Sequence, residues 1–382
     1  MKAIYLRSAR LPRRSLKKLK SLLEKLRSAP CQWCRFHLPR KTPPLVLMLP
    51  LLWGPFCSQP QAGESSVKAR PAEPLFTHSP LEPDNICSII PLGNVDPRGG
   101  HVLPADHVYF DYGGTNGLSV FAPAAGTVYA IRGQIHGGSK IEVRANENVS
   151  YYVAHVLVDS EVQIGRRVRV GQLLGKVSGD SMLDLGACDT RVRLPGLANP
   201  DRYPGPTLQT VAPLALFVEP LRSRLYAKVS RQGADKDGKI DFDQTGKLVG
   251  NWFHETLPVS DSARGGPEIS AKQLAFVYDV QEPAEIRISV GGTVAPTGLY
   301  RVQNAAPDPA TVGVDTGLVL YQLSAPKGEG ASHGLVGPQA GSENKVLLVQ
   351  VLSGRKIRVE YVSGRPTVAI RGFSTNATIF ER

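Results

Sequence analysis

Residues 120–131 read VFAPAAGTVYAI, residues 151–156 read YYVAHV, and residues 162–177 read VQIGRRVRVGQLLGKV. Apolar side chains, mostly valine, recur at alternate positions in each segment, the period of a strand with one buried face. Gly126, Gly165 and Gly171 punctuate the runs where short strands need tight turns. The stretch therefore predicts short antiparallel strands whose valines fill a sandwich interior. The same texture continues outward. From Cys87 onward apolar runs alternate with turn signals, without a convincing amphipathic helix longer than two turns and without a long repeat. The 38 glycines and 31 prolines suit many turns, and the expectation is an all-β protein.

Residues 195–213, PGLANPDRYPGPTLQTVAP, lose all periodicity and predict a long loop. A domain boundary is placed near Pro220, giving a first domain over 87–220 and a second β-rich domain over 221–382. In the second, strands are expected at Leu225–Val229, Lys239–Phe242, Ala275–Val280, Glu285–Val290, Lys345–Leu352, Lys356–Val362 and Thr367–Arg371. VLLVQVLSGRKIRVEYV is a hairpin signal turning at Ser353 and Gly354. GKLVGNWF, at 246–253, reads as a strand with a buried Trp252, and the whole as a sandwich or a barrel-like domain. Asp235, Asp237, Gly238, Ile240 and Asp241 imitate a calcium loop, but Gly233 and Gln244 stand where its first and last acidic ligands belong. An Asp-Gly turn is the plainer reading.

The formal charge of +12 invites a nucleic-acid function, but its distribution excludes one. Met1 to Lys41 holds thirteen lysines and arginines and one acid, Glu24, leaving 32 basic and 32 acidic residues in the rest. The basic leader contains SLKKLKSLLEKLR (15–27), and PLVLMLPLLWGPF (44–56) follows, uncharged and of signal-peptide core length. Residues 1–58 thus predict export to the periplasm or cell envelope, with membrane contact only through this N-terminal segment. Cys57 stands where a lipidated cysteine would, and cleavage near Ala62 and Gly63 is the alternative. Residues 59–86 read as a proline-rich linker. Cys31 and Cys34 precede the apolar core and fall with the leader. Cys87 and Cys188 are expected either as a disulfide or as two thiols.

Chemistry concentrates in three places. In HVYFD, period-two geometry puts His107 and Asp111 on one strand face, and imidazole and carboxylate both suit zinc. YYVAHV carries His155. MLDLGACD, at 182–189, carries Asp184 and Asp189. With AP-x-x-G-x-V, Y-x-H and the paired V-x-x-G hairpin, residues 88–220 resemble the lysostaphin and LytM-type zinc endopeptidases, peptidase family M twenty-three. That resemblance implies a duplicated hybrid motif, zinc held by His107, Asp111 and the position of Asp184, and a histidine at 155 that assists the reaction. It also locates the departures: Met182 stands at a catalytic histidine and Asp184 at a metal-binding one; an alternative, shifted register would bring Asp189 to the ligand place, but the alternation of Leu183, Leu185 and Ala187 favours Asp184.

Two carboxylates around zinc would acidify its water less, and would suit a harder ion such as Mn²⁺ or Mg²⁺ better than two histidines do. A thioether at 182 donates no hydrogen bond to an oxyanion. The expected function is an exported, divergent, peptidase-like envelope protein that binds peptidoglycan or an envelope partner with weakened catalysis. The alternatives are an active zinc endopeptidase with an altered ligand set, and a carrier module, which the missing lysine hairpin and the leader disfavour. His101, His136, His254 and His333 read as solvated loop residues.

Overall fold

Alternation along three strands builds the part of the fold that matters for chemistry. The computed structural model describes residues 74–133, 137–179, 182–303, 306–324 and 344–382, so the leader, Cys57, His136 and His333 lie outside the described residues. Ser88–Ile90 (β1), His107–Asp111 (β2), Ser119–Phe121 (β3), Gly126–Gly133 (β4), Ser139–Arg144 (β5), Val149–Val158 (β6), Arg167–Val168 (β7), Leu173–Val177 (β8) and Met182–Asp189 (β9) form a nine-stranded sheet. Its path is β1-β2-β9-β6-β5-β4-β7, with β8 bonded to β6 and β3 to β8. Val108 and Phe110 of β2, Leu183 and Leu185 of β9, and Tyr151 and Val153 of β6 bury into one apolar core. The positions between them necessarily face the other way, and these carry His107, Tyr109, Tyr152 and Asp184.

β6 is two strands in one. Its first half pairs with β9, ending at Ala154 opposite Asp184, and its second half pairs with β8 from Val156 onward. Between them the register with β5 slips by a residue, from Val153 opposite Ile141 to Val156 opposite Ser139. The bulge falls at the site-bearing end of the strand, where such irregularities re-aim a side chain.

The expected linker is partly structural. Phe76, Leu81 and Ile86 are buried in the first core, Phe76 edge-on to Tyr151 and Phe217, because these apolar residues interrupt the prolines and find the sheet's open side. The same core takes Leu225, Val229 and Ile240, beyond Pro220.

The second sheet closes into an antiparallel barrel of eight strands: Gly250–His254 (β10), Gln273–Tyr278 (β11), Ile286–Val290 (β12), Gly298–Val302 (β13), Leu318–Ser324 (β14), Lys345–Ser353 (β15), Lys356–Ser363 (β16) and Thr378–Glu381 (β17). β10 bonds both β11 and β17, so no edge remains. Trp252, Leu274, Phe276, Ile288, Tyr300, Tyr321, Leu347, Val349 and Phe380 fill the interior. Arg382 closes one end, its guanidinium 3.6 Å from the Trp252 ring and donating to the carbonyls of Lys247 and Val249.

Two expected strands are helical instead. Leu221–Tyr226 is a short helix because Leu221 and Leu225 turn one face to the first core. Thr367–Ala369 is a single 3-10 turn after Pro366, whose ring pre-sets the turn. Lys239–Phe242 is no regular strand; beside it Gly238 bridges Leu92 in isolation. β13, β14 and β17 were not legible from periodicity.

The described residues within Lys68–Arg382 form one compact unit. The barrel's outer wall buries Phe253 against Leu197, Tyr203 and Leu257, and Ala275 and Val277 against Val95. Ser289 Oγ donates to the Val102 carbonyl at 2.6 Å across the same seam.

Candidate functional site

β2, β9 and β6 lie side by side, and their register assembles the polar face. His107 is opposite Gly186, Tyr109 opposite Asp184, and Asp111 opposite Met182, while Tyr152 and Ala154 of β6 flank Gly186 and Asp184 on the other side. His107 Nε2 lies 3.5 Å and His155 Nε2 3.3 Å from the same oxygen, Asp184 Oδ2. Asp184 thus sits between two imidazoles from different strands. The structure brings together His107, His155 and Asp184.

His155 reaches this position through its backbone. Strand alternation would send it away from Ala154's face, but at φ 65° it occupies the left-handed region, alone among the described non-glycine residues. The conformation is held from both sides. Ser178 donates its backbone N–H to the His155 carbonyl at 2.9 Å, and Gly138 packs so closely that a Cβ there would stand 2.8 Å from the His155 carbonyl carbon. Such strain persists only where neighbours over-determine it, and it clusters at functional sites.

Behind His107 lies a polar support that the motif reading missed. Asp106 Oδ1 accepts from His107 Nδ1 at 3.2 Å and from the Tyr152 hydroxyl at 2.9 Å, and Asp106 Oδ2 accepts from Thr207 Oγ1 at 2.7 Å. Tyr152 reaches them by lying across Gly186, where a Cβ would stand 2.2 Å from its ring. Thr207 lies in a short helix, Gly205–Leu208, within the segment 195–213 expected as a loop, and the same segment, with a 3-10 turn at Pro200–Arg202, also sends Arg202 to Leu257 O and Tyr203 to Asn251. His101, expected in solvent, instead packs edge-on to His107, ring centroids 5.2 Å apart.

Electrostatics follow from this burial. Burial, then the neighbouring His107, push the His101 pKa down to about 4. Burial also opposes charge on His107, but Asp184 and the hydrogen bond with Asp106 outweigh it and raise the pKa above 6.5. Asp184 is the reverse: burial disfavours its anion, His107 and His155 favour it more, and its pKa falls. The cluster is a carboxylate–imidazole alternation running Asp106, His107, Asp184, His155.

Whether these residues fit a zinc ion turns on the third ligand. Two atoms suit a cation: His107 Nε2 and Asp184 Oδ1 are both buried without a hydrogen-bond partner. Asp111 is engaged elsewhere, accepting from Ser88 Oγ at 3.3 Å and from the Gly113 N–H at 2.8 Å. Tyr109 stands between it and His107 on the same face, its ring centroid 4.6 Å from that of His107. Among the described residues no three His, Cys, Asp or Glu side chains gather closely enough to hold an ion. The site as built does not fit the three-ligand zinc centre.

Met182 is partly buried at the start of β9, opposite Asp111. Asp189, the shifted-register candidate, is bound to Arg191 at 2.7 Å. No disulfide joins Cys87 to Cys188, whose Sγ lies 2.9 Å from Ser150 Oγ. His254 is held by Thr256 and Thr378.

Compared with family models and with curated proteins, the chain finds no match. Among solved structures it is similar to Helicobacter pylori Csd3, at 17% identity over 38% of this chain and 35% of that one, with a TM-score of 0.28. It thus spans about a third of the Helicobacter protein's length. A zinc-containing peptidase from Vibrio cholerae is similar at 19% identity over 31% of this chain and 38% of that one, TM-score 0.26. The catalytic domain of lysostaphin from Staphylococcus simulans is similar at 20% identity over 28% of this chain and 84% of that one, TM-score 0.24. No described helix is long and apolar enough to cross a membrane.

Proposed function

We propose that this protein is an exported, LytM-like component of the cell envelope that binds peptidoglycan or an envelope partner and cleaves peptide cross-links weakly or not at all. The observation that carries the reading is His155, held at φ 65° so that its ring meets Asp184. A fold that tolerates such a conformation at one histidine has kept that histidine aimed.

The same face explains the weakened chemistry. Hydrolysis of an amide needs an activated water and a donor for the developing oxyanion. Met182 supplies no donor, and His107 and Asp184 are buried against one another. Of the three residues that meet at Asp184 Oδ2, His155, whose side chain keeps 18% of its exposure, is the one that a bound peptide would touch. Contact with the exposed edge of the His155 ring and with the surrounding strand face would retain a peptide without turning it over. Export rests on the leader, and the partner class on the LytM-like motifs at 107–177.

The test is co-sedimentation of the purified protein with peptidoglycan sacculi, run beside a peptide-release assay. Binding that falls at least about tenfold in His155→Ala, with release at background, is the expected result. Release of cross-link peptides at enzymatic rates would support an endopeptidase instead. Absence of sedimentation would remove peptidoglycan and leave a protein partner.

A further inference from the structure

We propose that the phenol ring of Tyr109 occupies the place a metal ion would take, and that the Asp184 carboxylate, set between His107 and His155, ties the same three strands together in the ion's stead. The inference rests on reading His107, Asp111 and Asp184 as the positions of a LytM-type metal centre. It is independent of what the face binds.

The geometry follows from strand period alone. Two ligands four residues apart on one strand share a face, and so does the residue midway between them. For an ion to be held by both, that middle side chain must be small. Here it is a tyrosine, buried, its ring tilted against that of His107 and its backbone directly opposite Asp184 across the β2–β9 pair. The ring fills the middle of the triangle that His107, Asp111 and Asp184 would need to enclose. Asp111 is turned to Ser88 and the Gly113 N–H on the far side of it.

What an ion would contribute mechanically is a bond between strands, and side chains supply that here. His107 on β2 and His155 on β6 both approach Asp184 on β9 within 3.5 Å. Asp106, the residue before β2, and Tyr152 of β6 add a second connection behind them. An aspartate in place of a histidine is suited to this: a carboxylate carries negative charge and several acceptor lone pairs that can face two imidazoles at once, whereas a neutral imidazole has a single acceptor nitrogen.

The experiment is a titration of the full chain with Co²⁺ and Zn²⁺, reading the cobalt absorption bands and the melting temperature with and without EDTA. The wild type is expected to show no cobalt band and no shift on EDTA. Tyr109→Gly is expected to take up one equivalent, at least about tenfold more tightly than wild type, and to lose it again when combined with His107→Gln. Tyr109→Phe, which keeps the ring, is expected to behave as wild type. One equivalent of zinc in the wild type, lost in His107→Gln, would overturn the proposal. So would a well-folded Tyr109→Gly that gains nothing. Should Tyr109→Gly fail to fold, the wild-type titration decides alone. Sacculus binding is read separately, so its failure would not be mistaken for failure here.

Discussion

Among the described residues, His155 is the non-glycine residue that holds a left-handed backbone. A left-handed backbone costs a non-glycine residue on the order of 1–2 kcal/mol, more when the side chain is β-branched. His155→Gly should therefore leave stability within about 1 kcal/mol of wild type, the relaxed backbone offsetting the lost contact with Asp184. His155→Val should cost at least about 2 kcal/mol more than the glycine variant. Urea denaturation of the pair checks this, and equal stability would mean the backbone is not what holds the histidine.

Titration belongs to the same scale, and the two histidines act in opposite directions. His101, held neutral down to about pH 4, leaves the unfolded chain with more protons between about 4 and 6.5, so stability rises with pH across that window. His107, with a pKa raised above 6.5, holds its proton longer in the folded chain. Its contribution is full below about 6.5 and is lost as pH rises through the raised value. A maximum of stability near pH 6.5 is expected for the metal-free protein. His101→Gln should flatten the acid limb and His107→Gln the alkaline one, as read from melting temperature against pH; a flat wild-type profile would contradict the assignment.

Among elements, β9 sets the site because its alternate residues meet two neighbours at once. Gly186 is the position where this depends on the absence of a side chain. Gly186→Ala would put a methyl into the Tyr152 ring, displace it from Asp106 and His107, and cost roughly 2 kcal/mol. Loss of sacculus binding alongside the drop in stability is expected, because His107 would lose its support; an alanine variant with wild-type stability would show that the ring finds another path. Strand alternation put His107 and Asp111 on one face with Tyr109 between them, while Asp184 was reached only through the resemblance to the LytM-type motif. The bulge at His155 was not legible, because it arises from β6 leaving β9 for β8, a change of partner with no local signal.

At the scale of the whole molecule, the segment at 195–213 joins the site to the barrel, Thr207 at one end and Arg202 and Tyr203 at the other. The shared seam predicts a single cooperative unfolding transition for the two sheets. Arg382→Met should destabilise the chain by about 3 kcal/mol, because Asp243 would be left buried 3.7 Å from a missing partner and the Trp252 ring uncovered. Denaturation followed by Trp252 fluorescence and by circular dichroism would test both; separate transitions would show that the barrel folds independently.

The sequence alone determined the all-β class, the run of short strands at 120–177 and the hairpin at Ser353 and Gly354. Each is written locally, in the spacing of valines and the residues that turns demand. Only the tertiary structure decided that the second sheet closes into a barrel, since closure depends on β10 meeting β17 from opposite ends of the domain. It also decided which polar groups meet. Asp106 stands beside His107 in the sequence, but that Thr207 meets Asp106 and that His101 packs on His107 follows from how the chain packs, and so does the conformation that aims His155.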